Sequence, residues 1–190
     1  MITLEQFNQL KNEYGDVASF AVWSSWHYVG DTSMFDSDTI IKLLNNRFIF
    51  VALNPAERPP TDKQVPKFKN FHSDYSYQKD YKLAFALQNT KFYGAYITDL
   101  FKSFRITKSE LLSKELKARP ADVQKDVEKL CDEINILNPD AVLIALGRKV
   151  EKYLKKLFRD RYTIIYLKHY SFYCSKEKYR ELVEKLEMVC

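Results

Sequence analysis

Four short apolar runs, separated by segments with helical periodicity, constrain the fold of this chain more than any other feature. The runs predict buried strands over residues 47–53, 95–100, 140–146 and 162–167. Strands that alternate with helices form βαβ units, whose right-handed crossovers cover a parallel sheet with helices. At 190 residues, the chain has the length of one domain on the usual range of roughly 100–200 residues. We therefore predict a single domain over 1–190, an α/β protein built as a three-layer α/β/α sandwich around a four-stranded, mostly parallel sheet.

The predicted helices lie before, between and after these strands. Thr3 and Gln6 form a capping box at the start of the first helix, and Thr107 with Glu110 predicts a second one. Residues 15–35 carry conflicting signals, since FAVWSSW is typical of a short strand and Gly30 begins a stretch typical of a loop. The long polar connection over 56–76 is of the kind that is usually functional or mobile. The predicted helices cover 3–14, 36–44, 77–88, a segment from 107, 121–137, 148–158 and 175–189.

Composition excludes several classes of protein. The longest apolar stretches, at 48–53 and 141–146, are far shorter than the roughly 20 residues of a membrane span. The N-terminus lacks the basic start and apolar run of a signal peptide, so we expect a cytoplasmic protein. Three cysteines and three histidines are too scattered for a disulfide framework or a zinc site, and we expect no metal and no cofactor.

Positive charge is concentrated in the C-terminal third of the chain. The net charge is +5, yet residues 148–180 hold eleven lysines and arginines against three acids. Such a surface attracts an anion such as a nucleic-acid backbone. A solvated, lysine-rich helix face explains the same pattern equally well, and both interpretations stay open.

Polar or turn-forming residues follow each predicted strand. In open parallel sheets, ligands bind beyond the carboxyl ends of the strands. That rule selects Asn54, Asp99, Gly147 and His169. Each of them has a structural explanation, such as a turn or a cap, but an amide, a carboxylate and an imidazole together suit a small heterocyclic ligand. The Gly-rich dinucleotide and P-loop motifs are absent from the sequence, as is the serine elbow of hydrolases.

Four segments together resemble the uracil-DNA glycosylase superfamily. VALNPA is similar to the family's first motif, G-[IM]-N-P-G, and His169-Tyr170-Ser171 is similar to its second motif, H-P-S. The run over 127–154 resembles a segment of the iron–sulfur branch, without that branch's four cluster cysteines. The segments that carry the resemblance are RFIFVALNPA (47–56), GAYITDLFK (94–102), VEKLCDEINILNPDAVLIALGRKVEKYL (127–154) and LKHYS (167–171).

The resemblance implies a role for each matched position. Asn54 would position the water that attacks C1′ of the deoxyribose, and His169 would donate a hydrogen bond to O2 of the departing base. Phe71 would stack on a base that is flipped out of the duplex, and Phe172 or Tyr173 would fill the gap that the base leaves. The remaining base-pocket residues would be Ala52, Leu53, Pro55, Asp99 and Ser171, and the phosphate contacts Arg148 and Lys168.

The chain departs from the family pattern at the position that reads the base. Asp99 stands where the family commonly has Asn, and a carboxylate only accepts hydrogen bonds. This change favours a base with an exocyclic amine. Ala52 and Ala56 replace glycines of the first motif, and Tyr170 replaces the proline of the second.

The resemblance implies a DNA-repair hydrolase that cleaves the N-glycosidic bond of a flipped, damaged or mismatched base. DNA or a nucleobase-sized ligand would be its partner. Two alternatives remain open at this point. One is a catalytically silent module of the same fold that binds nucleic acid or a nucleobase, and the other is a hydrolase of free nucleosides.

Overall fold

The computed structural model describes residues 1–55 and 65–190 and has an α/β architecture. The described helices include none that is both long enough and apolar enough to cross a membrane. The α-helices are α1 (Leu4–Tyr14), α2 (Asp80–Leu87), α3 (Ser109–Ala118), α4 (Pro120–Leu137), α5 (Arg148–Phe158) and α6 (Lys176–Glu187). The strands are β1 (Ser19–Phe20), β2 (Phe48–Ala52), β3 (Tyr96–Asp99), β4 (Val142–Leu146) and β5 (Ile164–Leu167).

The sheet has five strands in the order β1-β3-β2-β4-β5, so the prediction of four strands is wrong. The four predicted strands form and pair in parallel. The additional strand β1 comes from the segment with conflicting signals and pairs antiparallel with β3. It is only two residues long, too short for the alternation that marks a strand in a sequence. Because β3 and β4 lie on opposite sides of β2, the chain reverses its direction across the sheet at β2.

Successive strand residues face opposite sides of the sheet, and each side has its own buried cluster. Ile49 and Val51 lie in a cluster with residues of α1, α4 and α5. Phe48, Phe50 and Ala52 lie in another cluster, together with residues of α2 and α6. Both faces of the sheet are therefore covered, which explains why its central strands are apolar without alternation.

A buried polar network lies on the face that α4 covers. Glu133 of α4 accepts hydrogen bonds from the hydroxyls of Tyr96 and Thr98, both at 2.8 Å. The Nζ of Lys102 lies 2.6 Å from Glu133 Oε2 and donates to the backbone oxygen of Asp99. This network ties the end of β3 to α4.

Most of the other differences between the predicted and the observed elements concern the residue at which a helix begins. The capping box of Thr3 and Gln6 is confirmed. The expected cap at Thr107 is wrong, because α3 begins at Ser109 and its N-cap residue, Lys108, makes no side-chain cap. The helix predicted over 77–88 is divided in two, since Lys79 adopts a left-handed φ of 64° between a 3-10 turn and α2.

We expect the substitution Glu133→Gln to destabilise the fold by about 3–5 kcal/mol, because it leaves the ammonium of Lys102 buried without a counter-ion. Urea denaturation measures the change. Glu128→Gln, at an exposed position of the same helix, is the matched control. The double substitution of Lys102→Met with Glu133→Leu removes both charges and should recover much of the loss. Equal stability of Glu133→Gln and the parent protein would contradict a structural role for the ion pair.

Candidate functional site

A cavity of about 270 Å³ lies at the carboxyl ends of β2, β3 and β5, on the face covered by α2 and α6. The parallel register pairs Ala52 with Asp99, so the residues that follow β2 and β3 begin at the same level. The cavity is lined by Ala52, Asn54, Pro55, Asn70, Phe71, Tyr77, Gln78, Asp80, Asp99, Thr107, His169, Tyr170 and Ser171.

The side-chain amide of Asn54 is held in one orientation by backbone oxygens. Its Nδ2 donates to the carbonyls of Phe104 and Ile106, both at 2.8 Å. These two carbonyl oxygens fix which end of the amide faces them. Nδ2 donates to them, whereas Oδ1 in the same place would be repelled. Among the described residues, no donor bonds to Oδ1 of Asn54. The group that Asn54 offers to a ligand is therefore an acceptor.

His169 is held in one tautomer by its own turn. Its Nδ1 accepts the backbone N–H of Ser171 at 3.1 Å and lies 2.8 Å from the hydroxyl of that residue. An Nδ1 that accepts an N–H carries no proton, so the neutral ring carries its proton on Nε2. Burial, assisted by the charge of Lys82, lowers the pKa of His169 to about 4. At neutral pH the residue is therefore an uncharged hydrogen-bond donor.

The turn after β4 lies beside His169. Gly147 has a φ of 108°, which a residue with a side chain rarely adopts, and a Cβ on it would lie 3.8 Å from Cβ of His169. Its N–H donates to the carbonyl of Leu167 at 2.8 Å. Gly147 thus closes the strand-to-helix turn tightly against His169.

Asp99 is a fully buried carboxyl group in the cavity wall. Burial raises its pKa from 3.8 to about 7, although a hydrogen bond from Asn70 Nδ2 at 2.9 Å and the charge of Lys102 both favour ionisation. The group titrates near neutrality. It therefore donates a hydrogen bond when protonated and only accepts when ionised.

Aromatic and carboxylate groups complete the wall. Phe71 is buried, and its φ of 63° lies in the left-handed region that non-glycine residues rarely occupy. Tyr170 is buried and stacks on the ring of His169, with 4.3 Å between ring centroids. Asp80, at the start of α2, accepts the backbone N–H of Ser73 at 2.9 Å. The cavity thus presents flat apolar surfaces beside its polar groups.

The structure brings most of the residues chosen from the sequence to this cavity. Asn54, Asp99 and His169 line it together. So do four of the other expected base-pocket residues, namely Ala52, Pro55, Phe71 and Ser171. Leu53 does not, because its side chain packs against the cluster on the opposite face. Ala56 lies outside the described residues.

The expected DNA-contact residues lie outside the cavity. Phe172 and Tyr173 directly follow the turn of His169, and their side chains are exposed by 47% and 99%. Lys168 places its Nζ 4.2 Å from the ring centroid of Phe172. Arg148 donates to Glu151 at 2.8 Å, and its guanidinium lies over the ring of Tyr166.

Sequence reasoning did not select several lining residues as part of the site. Four of them come from residues 70–80, where no predicted strand ends, so the rule for the carboxyl ends of strands did not select them. Thr107 was interpreted as a helix cap. Their polar side chains follow no spacing that a single sequence reveals. These residues are Asn70, Tyr77, Gln78, Asp80 and Thr107.

The described residues include no group of three His, Cys, Asp or Glu side chains that could hold a metal ion. Cys131, Cys174 and Cys190 are free thiols. The polar groups that line the cavity are amides, carboxyls, hydroxyls and an imidazole.

Comparison with models of known protein families finds no family that matches this chain, and comparison with curated proteins finds no match either. The resemblance to the uracil-DNA glycosylase superfamily therefore rests on the quoted motifs, and Asn54, Asp99 and His169 are the positions at which it is testable.

Because Asp99 is buried, we expect it to make the free energy of unfolding depend on pH. Between about pH 4 and pH 7, the folded protein keeps a proton that the unfolded chain has released, so the contribution of Asp99 to stability falls as pH rises. In the variant Asp99→Asn this decline is absent. We expect the variant's gain in unfolding free energy over the parent to grow from near zero at about pH 4 to on the order of 2–4 kcal/mol at about pH 8.

Urea denaturation at a series of pH values measures this difference. Comparison with the variant is necessary because burial of His169 gives the parent protein an opposite slope over part of the same range. Asp140→Asn, at an exposed carboxyl, is the control and should show a constant difference. If the difference in unfolding free energy between Asp99→Asn and the parent is also the same at every pH, Asp99 ionises as readily as an exposed group and the prediction is wrong.

Proposed function

We propose that this chain is a uracil-DNA glycosylase-like enzyme, a DNA base-excision glycosylase with a three-layer α/β/α sandwich fold. The observation that carries the proposal is that Asn54 and His169 line one cavity, with an acceptor oxygen and a donor nitrogen that no described residue bonds. A DNA substrate is compatible with the cytoplasmic location that we expect from the sequence.

In the proposed reaction, Asn54 holds the attacking water. Its Oδ1 accepts a hydrogen bond from the water, whose oxygen then forms a bond to C1′ while the C1′–N bond to the base breaks. An amide is sufficient, because the glycosidic bond is largely broken in the transition state and little base strength is needed. The water supplies a hydroxyl group to the sugar and a proton to the base, and the products are an abasic sugar and a free base.

His169 stabilises the charge that develops on the departing base. Because the ring is neutral with its proton on Nε2, it donates a hydrogen bond without giving up that proton. A donor fixed in place before the reaction needs no reorganisation when the charge appears, which is the main advantage of such sites. The turn of Ser171 supplies that fixation.

Phe71 and the exposed residues beside the cavity fit the steps that precede cleavage. A buried aromatic ring in the cavity wall offers a face for the flipped base. Phe172 and Tyr173, exposed beside the mouth, suit the insertion into the duplex. Lys168 lies next to them and supplies positive charge for a phosphate.

Asp99 supports a preference for a particular base edge. When ionised it accepts from an exocyclic amine, as in cytosine or adenine, and it repels a carbonyl oxygen at the same place. When protonated it donates to that oxygen. Since its pKa is raised to about 7, the preferred edge changes near neutral pH.

The activity is tested with duplex and single-stranded oligonucleotides that each carry one uracil, hypoxanthine, xanthine, cytosine, adenine or mismatched thymine. We expect abasic product from at least one of them. Asn54→Ala and His169→Ala should each lower the rate by about 100-fold or more, because each removes a group that acts in the transition state. Asn8→Ala and His27→Ala, at exposed positions, are the controls and should retain the rate.

Three outcomes contradict the proposal. Binding of duplex that weakens steeply with salt, without release of any base, would indicate a silent binding module. Hydrolysis of free nucleosides but not of DNA would indicate a nucleoside hydrolase. Base release that survives both substitutions would place the active site elsewhere.

The role of Asp99 is tested by the pH dependence of base choice. We expect the ratio of excision from keto bases (uracil, hypoxanthine) to excision from amino bases (cytosine, adenine) to rise as pH falls from about 8 to about 6, because protonation makes Asp99 a donor. Asp99→Asn should remove this dependence, since an amide donates and accepts at every pH. A ratio that changes equally in both proteins would assign the effect to another group.

A further inference from the structure

Lys82 of α2 is a buried cation near the proposed active site. The residue is 3% exposed, and none of the ion pairs within 4.0 Å in the described part of the chain includes it. A buried charged group is costly to a fold unless polar groups around it compensate. The contacts of Lys82 therefore indicate what it does.

The ammonium of Lys82 contacts the turn that carries His169. Its Nζ donates to the backbone oxygen of Phe172 at 2.8 Å. The same turn is closed by a hydrogen bond from the N–H of Phe172 to the oxygen of His169 at 2.9 Å. Within it, Ser171 holds Nδ1 of the imidazole. A contact from α2 thus fixes the turn that orients the ring.

The charge of Lys82 also acts on the imidazole. After burial, it is the other cause that lowers the pKa of His169. Other polar groups, several of them charged or titratable, lie on the elements around the ring. They are Ser171 and Tyr170 of the same turn, Asp80 at the start of α2, Asp99 at the end of β3, Lys168 before the ring, Arg148 beside Gly147, and Tyr179 of α6, which bonds to the oxygen of Lys168.

We propose that Lys82 is a positioning residue that anchors the turn 169–172, which orients the imidazole of His169, and that places a positive charge near this ring. The importance of this role for catalysis rests on the proposed glycosylase function. The effect on His169 does not, and it is measurable in the free protein.

The test is the titration of His169, followed by NMR of the imidazole ring and assigned with the variant His169→Gln. Lys82→Met removes both the charge and the contact with Phe172. Lys82→Gln removes the charge but keeps a donor for the oxygen of Phe172. Lys82→Arg keeps the charge, and Lys125→Met removes one exposed lysine of α4, which covers the other face of the sheet.

We expect the midpoint of His169 to rise by roughly one pH unit in Lys82→Met and in Lys82→Gln, because a nearby positive charge no longer opposes protonation. Lys82→Arg and Lys125→Met should leave it near its value in the parent protein. If the protein cleaves DNA, the acid limb of its rate profile should move upward by the same amount in the two uncharged variants.

A midpoint that stays unchanged in both uncharged variants, or that moves equally in Lys125→Met, overturns the inference. If Lys82→Met does not fold, Lys82→Gln decides the question alone. This test is independent of the proposed function. The titration of His169 can be followed by NMR even if the protein releases no base from any substrate.

Discussion

The parallel pairing of β2 with β3 is the constraint on which the rest of the site depends. Its register places Ala52 opposite Asp99, so Asn54 and Asp99 arrive at the same edge of the sheet although 45 positions separate them in the chain. The pairing of β4 with β5 brings His169 to that edge. Since β3 and β4 lie on opposite sides of β2, the cavity forms where the order of the strands reverses, as in other open α/β sheets.

Burial then gives the cavity its chemistry. Removal from water disfavours the charged form of any group, so the same cause raises the pKa of Asp99 and lowers that of His169. Both groups are consequently uncharged over part of the neutral range. Their hydrogen-bonding neighbours, Asn70 and Ser171, set the geometry. An uncharged donor that is held rigidly suits the stabilisation of a charge that exists only briefly.

The sequence predicted the elements whose signals are local. Apolar runs located β2 to β5, and helical periodicity located α4. The strand β1 was not predicted because two residues carry no period, and its pairing with β3 depends on contacts distant in the chain. The left-handed conformation of Lys79, which divides the predicted helix before α2, has no glycine to mark it.

The site was predictable where strand ends marked it and not elsewhere. Asn54, Asp99 and His169 follow strands, and the rule for parallel sheets selected them. Leu53 was chosen by its position in a motif, but strand alternation directs it into the opposite cluster. Asn70 reaches the cavity from an irregular connection and Asp80 from the start of α2, and both positions depend on tertiary packing. Lys82 is one residue among many lysines, and only its burial distinguishes it.

The network behind β3 separates the backbone of Asp99 from its side chain. Lys102 holds the main-chain oxygen of Asp99, and Glu133 holds Lys102, so the backbone at this point is fastened from the layer opposite the cavity. The identity of the side chain at 99 is thereby separated from the placement of the strand. A substitution at position 99 is therefore expected to change the chemistry of the cavity wall while the end of β3 stays in place.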